Sequence, residues 1–282
     1  MNWIYLITII IGLALQNITK KVFAGKTEKN GEYTFSLISC IAAMLFFIIT
    51  SSGFEWNVGI LPYAGLFAVA YTLAVVSSLQ AVSCGSLSLT SLITSYSLML
   101  PTLYGMFFLK DPIKFGVIVG VIFLIISLFM INQKQSHIPI TPKWILYVIF
   151  AFVGNGMCSV FQKMQQVKFD GGFKNEFMIL SLAISIVILC FFVLTKERKD
   201  IKVYAKNALM PASICGIMNG VVNLFVMILS NLMPISIMFP MISAGGIIVT
   251  YLTSLFLFKE KLTRRQFIGF IIGIGAVVFL NI

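Results

Sequence analysis

A chain of 282 residues that is 59% hydrophobic and only 10% charged, with a mean hydropathy of +1.02, carries too little polar surface to clothe a water-soluble domain. Its net charge of +11 does not point to nucleic acid, because Lys and Arg sit in short caps between apolar blocks, where cytoplasmic loops of membrane proteins concentrate them. The five cysteines (Cys40, Cys84, Cys158, Cys190, Cys215) are scattered without a CxxC pair and the single histidine, His137, lies between apolar blocks, so no disulfide framework, metal centre or cofactor is implied.

The apolar residues fall in blocks of about 17 to 24, the length that crosses a hydrocarbon core of roughly 30 Å. The blocks predict an all-α integral membrane protein with ten transmembrane helices, near Trp3–Thr19, Tyr33–Thr50, Ile60–Val82, Ser86–Leu109 and Ile113–Ile131, then Lys143–Gln165, Glu176–Thr195, Ala208–Ser230, Ile235–Phe258 and Thr263–Asn281. The first block has no basic residue ahead of it and ends at Lys20-Lys21 without a small-residue cleavage motif. It therefore reads as a membrane span rather than a signal peptide. The segment Asn132–Pro142, with Pro139 and Pro142, is the longest polar connection in mid-chain.

Displacing the third to fifth helices by 149 residues lays Pro62 on Pro211, Lys110 on Lys259, Asp111 on Glu260 and Gly120 on Gly269 without a gap. Toward the N-terminus the displacement drifts to 141–144, pairing Trp3 with Trp144 and Lys20 with Lys163. The expected organisation is a first five-helix repeat at 1–132, a linker at 133–142 and a second five-helix repeat at 143–282. Five is odd, so the second copy must enter the membrane from the opposite side. Inverted repeats of this kind place a substrate site near the midplane, between the halves.

Each repeat ends in a short charged motif and a glycine-bearing helix. These read Leu109-Lys110-Asp111-Pro112-Ile113 followed by Gly116 and Gly120, and Phe258-Lys259-Glu260-Lys261-Leu262-Thr263 followed by Gly269, Gly273 and Gly275. On these features the chain resembles the drug/metabolite transporter superfamily, in particular its ten-helix EamA-type members. The second copy matches the family pattern, whereas the first has Asp111-Pro112 and lacks the threonine. The resemblance implies alternating access and substrates such as amino acids, nucleoside-like metabolites, drugs or quaternary amines.

None of the nine carboxylates falls mid-helix, and an intramembrane acid is what usually marks a proton or cation site. Asp111 and Glu260 are expected to act as helix-end caps or lysine partners. Polar side chains within the spans are the better guide. Asn155, Ser159 and Gln162 recur on one face of the sixth helix, Gln16 lies on the first, and Asn219 and Asn223 share a face of the eighth. Facing lipid they would be costly, so they are expected at a bundle interface or a cavity. Ser95 and Tyr96 on the fourth helix, Ser243 and Tyr251 on the ninth, and Tyr71 on the third complete the candidate substrate-binding set. Pro101, Pro240, Gly245 and Gly246 are candidate hinges, since proline deletes a backbone hydrogen bond and bends the axis. The GxxxG spacings Gly116–Gly120 and Gly269–Gly273 suit packing of the fifth helix on the tenth, or a dimer face.

Loops on one side of the membrane hold fifteen Lys and Arg against five on the other. That count places both termini outside, whereas the resemblance implies cytoplasmic termini, and both orientations stay open. The predicted function is a multi-pass secondary transporter of the cytoplasmic membrane, moving small polar or amphipathic, amino-acid-like metabolites by alternating access in the efflux direction. The alternative is uptake of a quaternary amine such as choline through an aromatic-lined cavity. A small-molecule substrate and the lipid bilayer are the expected partners, nucleic acid is not one, and a monomer is expected rather than a dimer. No enzyme is predicted, as no nucleophile, acid–base pair or metal-ligand set sits at depth.

Overall fold

The computed structural model describes residues 2–24, 31–51, 53–84, 94, 96–111, 115–131, 141–257 and 264–280. These residues are helical with short connections. The helices are α1 (Asn2–Ala24), α2 (Glu32–Thr50), α3 (Leu61–Cys84), α4 (Met99–Phe108), α5 (Phe115–Ile131), α6 (Pro142–Lys168), α7 (Lys174–Lys196), α8 (Ile201–Leu232), α9 (Ile235–Leu257) and α10 (Arg264–Leu280). Among the described residues six helices (α1, α2, α3, α6, α7 and α8) are long and apolar enough to cross a membrane. A bilayer core offers no water to the backbone, so an apolar segment satisfies its N–H and C=O groups within its own helix.

The outer surface carries large apolar side chains that a soluble protein would bury. Ile4, Ile7, Ile11 and Leu15 of α1, Ile49 of α2, Phe107 and Phe108 of α4, and Val187 and Phe191 of α7 are all exposed. Lipid is the solvent that such a surface fits. Inside, α1 and α2 pack along α8, α3 packs along α6 and α7, α2 also meets α7, α5 pairs with α10, and α9 touches α1, α4 and α10. The α5–α10 pairing is sealed by Ser127, whose Oγ donates to Gly269 O at 2.7 Å, and by an edge-to-face contact of Phe123 with Phe279. Of the two predicted uses of the GxxxG helices, the structure has the intramolecular one.

Several crossings depend on a missing side chain, Gly12 and Gly154 among them. At Gly12 of α1 a Cβ would lie 2.6 Å from Val222 Cγ2 of α8, and at Gly154 of α6 it would lie 2.8 Å from Ala70 O and from Ala74 N of α3. Small residues at such points let helix backbones approach closely.

Helix ends differ from expectation in ways that have local causes. α8 starts at Ile201 rather than near Ala208. At 32 residues and 1.5 Å per residue it is about 48 Å long, more than a roughly 30 Å core, so its first turns, with exposed Lys202 and Lys206, project past the hydrocarbon. Hydropathy alone cannot register that extension. Ahead of α4 the chain forms a 3₁₀ turn at Tyr96–Leu98. Pro101 has no N–H to offer the carbonyl four residues back, and the preceding turn tightens. Ser97 O then faces Gly156 of α6, 2.7 Å from where a Cβ would stand.

Two caps come from distant segments. Asp111 Oδ2 accepts from Ser236 N at 3.1 Å, closing the N-terminus of α9, so Asp111 is the helix-end cap that was expected, for a helix in the other half of the chain. Glu197 closes α2, its carboxylate accepting Tyr33 N at 3.0 Å, Thr34 N at 2.8 Å and Thr34 Oγ1 at 2.6 Å.

Candidate functional site

Where α1, α6 and α8 meet, four side-chain amides form a one-directional chain. Gln162 Nε2 donates to Asn223 Oδ1 at 2.7 Å. Asn223 Nδ2 donates to Asn219 Oδ1 at 3.0 Å, and Asn219 Nδ2 donates to Gln16 Oε1 at 3.4 Å. The chain stops there, on an amide nitrogen. Gln16 is 5% exposed, and its Nε2 has no hydrogen-bond partner among the described residues. A buried amide donor left unmatched carries a desolvation cost of about 1–3 kcal/mol, so an incoming acceptor oxygen is favoured at that point.

The helices fix this arrangement simply. Asn219 and Asn223 are one turn apart on α8, and Asn223 Nδ2 also reaches Asn219 O at 2.8 Å. Thr19, one turn beyond Gln16, donates its hydroxyl to Leu15 O at 3.0 Å and Gln16 O at 2.9 Å. Next to Gln162, the half-buried Lys163 donates through Nζ to Ser230 O on α8. The site thus holds amides and an ammonium group, and no described carboxylate takes part in the chain.

A family model for the EamA-like transporter family matches residues 142–282, half of the sequence. The chain belongs to the EamA-like transporter family. It is therefore a multi-pass membrane protein of the drug/metabolite transporter superfamily, in a family of transporters of small substrates and not of enzymes. A solved crystal structure shares the fold with a TM-score of 0.77, covering 98% of this chain and 94% of the other at 10% identity. No curated protein sequence matches.

In this EamA-like transporter the predicted site residues fall in several places. Gln16, Gln162, Asn219 and Asn223 are brought together as above. Asn155 and Ser159 are half-buried on α6, two turns and one turn before Gln162 respectively. Tyr71 is buried in an apolar cluster, its ring stacked on Phe67 with centroids 5.8 Å apart. Tyr96 Oη donates to Ile125 O of α5 at 3.3 Å. Ser243 is buried on α9, and Pro101 and Pro240 are buried within α4 and α9. A Cβ at Gly245 would meet Ile10 of α1, while Gly246 borders open space. Ser95 and the side chain of Tyr251 lie outside the described residues.

The sequence reading missed a second polar cluster, one turn further along α6 and about two turns further along α8. Asn231 Nδ2 donates to Gln166 Oε1 at 2.9 Å, Gln166 Nε2 to Gln165 Oε1, and Gln165 Nε2 to Gly172 O at 3.0 Å. Gln165 and Gln166 are buried. The spacing could have revealed it, since Gln166 continues the face of Gln162 at i+4. The polar face predicted for the sixth helix ends at Gln162.

Proposed function

We propose that this transporter moves small polar or amphipathic, amino-acid-like metabolites by alternating access, in the direction of efflux, with the substrate held at the amide chain between α1, α6 and α8. The observation that carries the reading is the polarity of that chain, which ends on the unmatched Gln16 donor. A substrate bearing a carboxylate or carbonyl supplies the acceptor this donor lacks. The quaternary nitrogen of a choline-like amine has no lone pair to offer, and its hydroxyl is a weaker acceptor than a carboxylate. The choline-like alternative drew on Tyr71, Tyr96 and Tyr251, and the stacking of Tyr71 on Phe67 leaves it the less supported of the two.

We further propose ten membrane spans in two inverted repeats, 1–132 and 143–282, joined by the linker 133–142. The reciprocal packing supports this: α1 on α8 answers α6 on α3. Gly12 and Gly154 stand 142 residues apart, and the residues they meet, Val222 and Ala74, stand 148 apart. The family match beginning at residue 142 is consistent with a boundary there.

The test is thermal stabilisation of purified protein against neutral amino acids, their amino-alcohol analogues and choline, followed by flux in proteoliposomes. Amino acids are expected to raise Tm, with the amino alcohols weaker. Stabilisation by choline and by no carboxylate-bearing compound would overturn the proposal. A reporter fused after Ile282, read on both sides of the membrane, assigns the orientation and with it the direction of the loaded gradient.

A further inference from the structure

Two carboxylates cap helices in the opposite half of the chain, one at each end of α8. Glu197 stands four residues before that helix and Ser236 four residues after it, so the two caps lie at opposite ends of the bundle. They are unequal. Glu197 is buried and uses both oxygens in three bonds of 2.6–3.0 Å to the start of α2. Asp111 is half-buried and, among the described residues, accepts one bond, from Ser236 N at 3.1 Å. The start of α9 is otherwise short of partners, since Ser236 Oγ is buried with none among the described residues.

Asp111 also has a second partner within reach. A Cβ at Gly105 would lie 2.6 Å from both Asp111 Oδ2 and Ile235 Cγ1, so the end of α4, Asp111 and the start of α9 meet at one point. Lys163, near the end of α6, is close enough for the Asp111 carboxylate to act on its ammonium group electrostatically, yet it donates to a neutral carbonyl, Ser230 O. A half-buried carboxylate parted from α9 would be uncompensated unless a cation took it up, and Lys163 is placed to do so. Ser230 is seven residues beyond Asn223 on α8, about 10 Å along the axis. This cluster therefore lies between the amide chain and the end of the bundle where α8 finishes.

We propose that the Asp111–Ser236 contact is a releasable latch of the transport cycle, with Asp111 passing to Lys163 as the start of α9 moves off, while the Glu197 cap holds the opposite end shut. This rests on the alternating-access reading above. One carboxylate with two arrangements, each with a partner, is the bistable element such a cycle requires.

Thiol labelling of purified protein with a polar maleimide reads each end separately. Val226→Cys, in a chain whose native cysteines are replaced by alanine, probes the buried cluster of α1, α8 and α9 on the Asp111 side. A second chain keeps only Cys215, which is buried with Phe23 and Phe35 on the Glu197 side. Asp111→Asn is expected to speed labelling at position 226 by roughly tenfold, the scale of one charge-assisted hydrogen bond, and to leave Cys215 unchanged. Glu197→Gln is expected to do the reverse. Lys163→Gln removes the alternative partner and is expected to slow labelling at 226. Were Lys163 only a strut to Ser230 O, its loss would speed labelling instead, and that result would overturn the exchange of partners. Gly105→Ala presses on Asp111 Oδ2 and Ile235 without removing a charge and is expected to speed labelling at 226, so the latch is still read if Asp111→Asn does not fold. Equal acceleration at both cysteines would mean general loosening and would overturn the latch, as would unchanged labelling at 226. Labelling is measured without substrate, so a failure of amino acids to raise Tm counts against the substrate assignment alone.

Discussion

The amide chain through Gln162 and the cluster through Gln166 lie on one face of α6 and share α8 as partner, yet they end differently. The cluster runs from Asn231 through Gln166 and Gln165 and finishes on the carbonyl of Gly172. Its last donor is matched by a loop that is itself fixed, with Asp170, Gly171 and Phe173 in the left-handed region and Lys174 Nζ donating back to Gly171 O. The amide chain runs from Gln162 to Gln16 and finishes on a donor with nothing to give to. Saturated buried networks rigidify; unsaturated ones are destabilised until something completes them. The first is the anchor of the α6–α7 turn, and the second is where we propose that the substrate binds.

The widest gap should open at Asn223→Leu. It removes the acceptor of Gln162 and the donor to Asn219 together, so proteoliposome flux should fall at least about tenfold, with stability lowered by about 1–3 kcal/mol per stranded group. Gln166→Leu should cost stability on a similar scale, because Asn231 loses its acceptor and Gln165 its donor. Its flux per folded molecule should keep the wild-type KM; a raised KM would bring the cluster into the substrate path and erase the distinction. Gly171→Ala should lower stability by about 1–2 kcal/mol, since a left-handed backbone at φ 76 disfavours a Cβ, and that Cβ would press on Asn231 Nδ2 at 2.7 Å. The smallest change in melting temperature is expected for Gln16→Leu, which gives up one 3.4 Å bond and removes an unmatched donor. Its signature is instead a severalfold rise in KM. A large drop in melting temperature at constant KM would place Gln16 with the structural cluster.

How much of this was legible beforehand depended on the kind of interaction. Gln16, Gln162, Asn219 and Asn223 stood out because an amide inside an apolar block is conspicuous and 3.6-residue periodicity assigns it a face. Gln165 is the last residue of the predicted sixth helix and Gln166 lies beyond it, whereas the structure carries α6 on to Lys168. Glu197 looked like one charge in a basic loop, and nothing in its neighbours announced that it caps α2 from more than 160 residues away. Tyr71 had the composition of a cavity residue, but stacks within an apolar cluster.

The sequence by itself determined that the chain is membrane-embedded, where most of its helices run and which of their faces are polar. It could do so because hydrocarbon leaves the backbone no partner except its own helix, making length and hydropathy sufficient. Only the tertiary structure decided which polar face meets which. In lipid that choice rests on close approach at small residues such as Gly12 and Gly154 and on the few hydrogen bonds available across helices. The same packing brought Gln162, Asn223, Asn219 and Gln16 into one chain whose last donor is on Gln16.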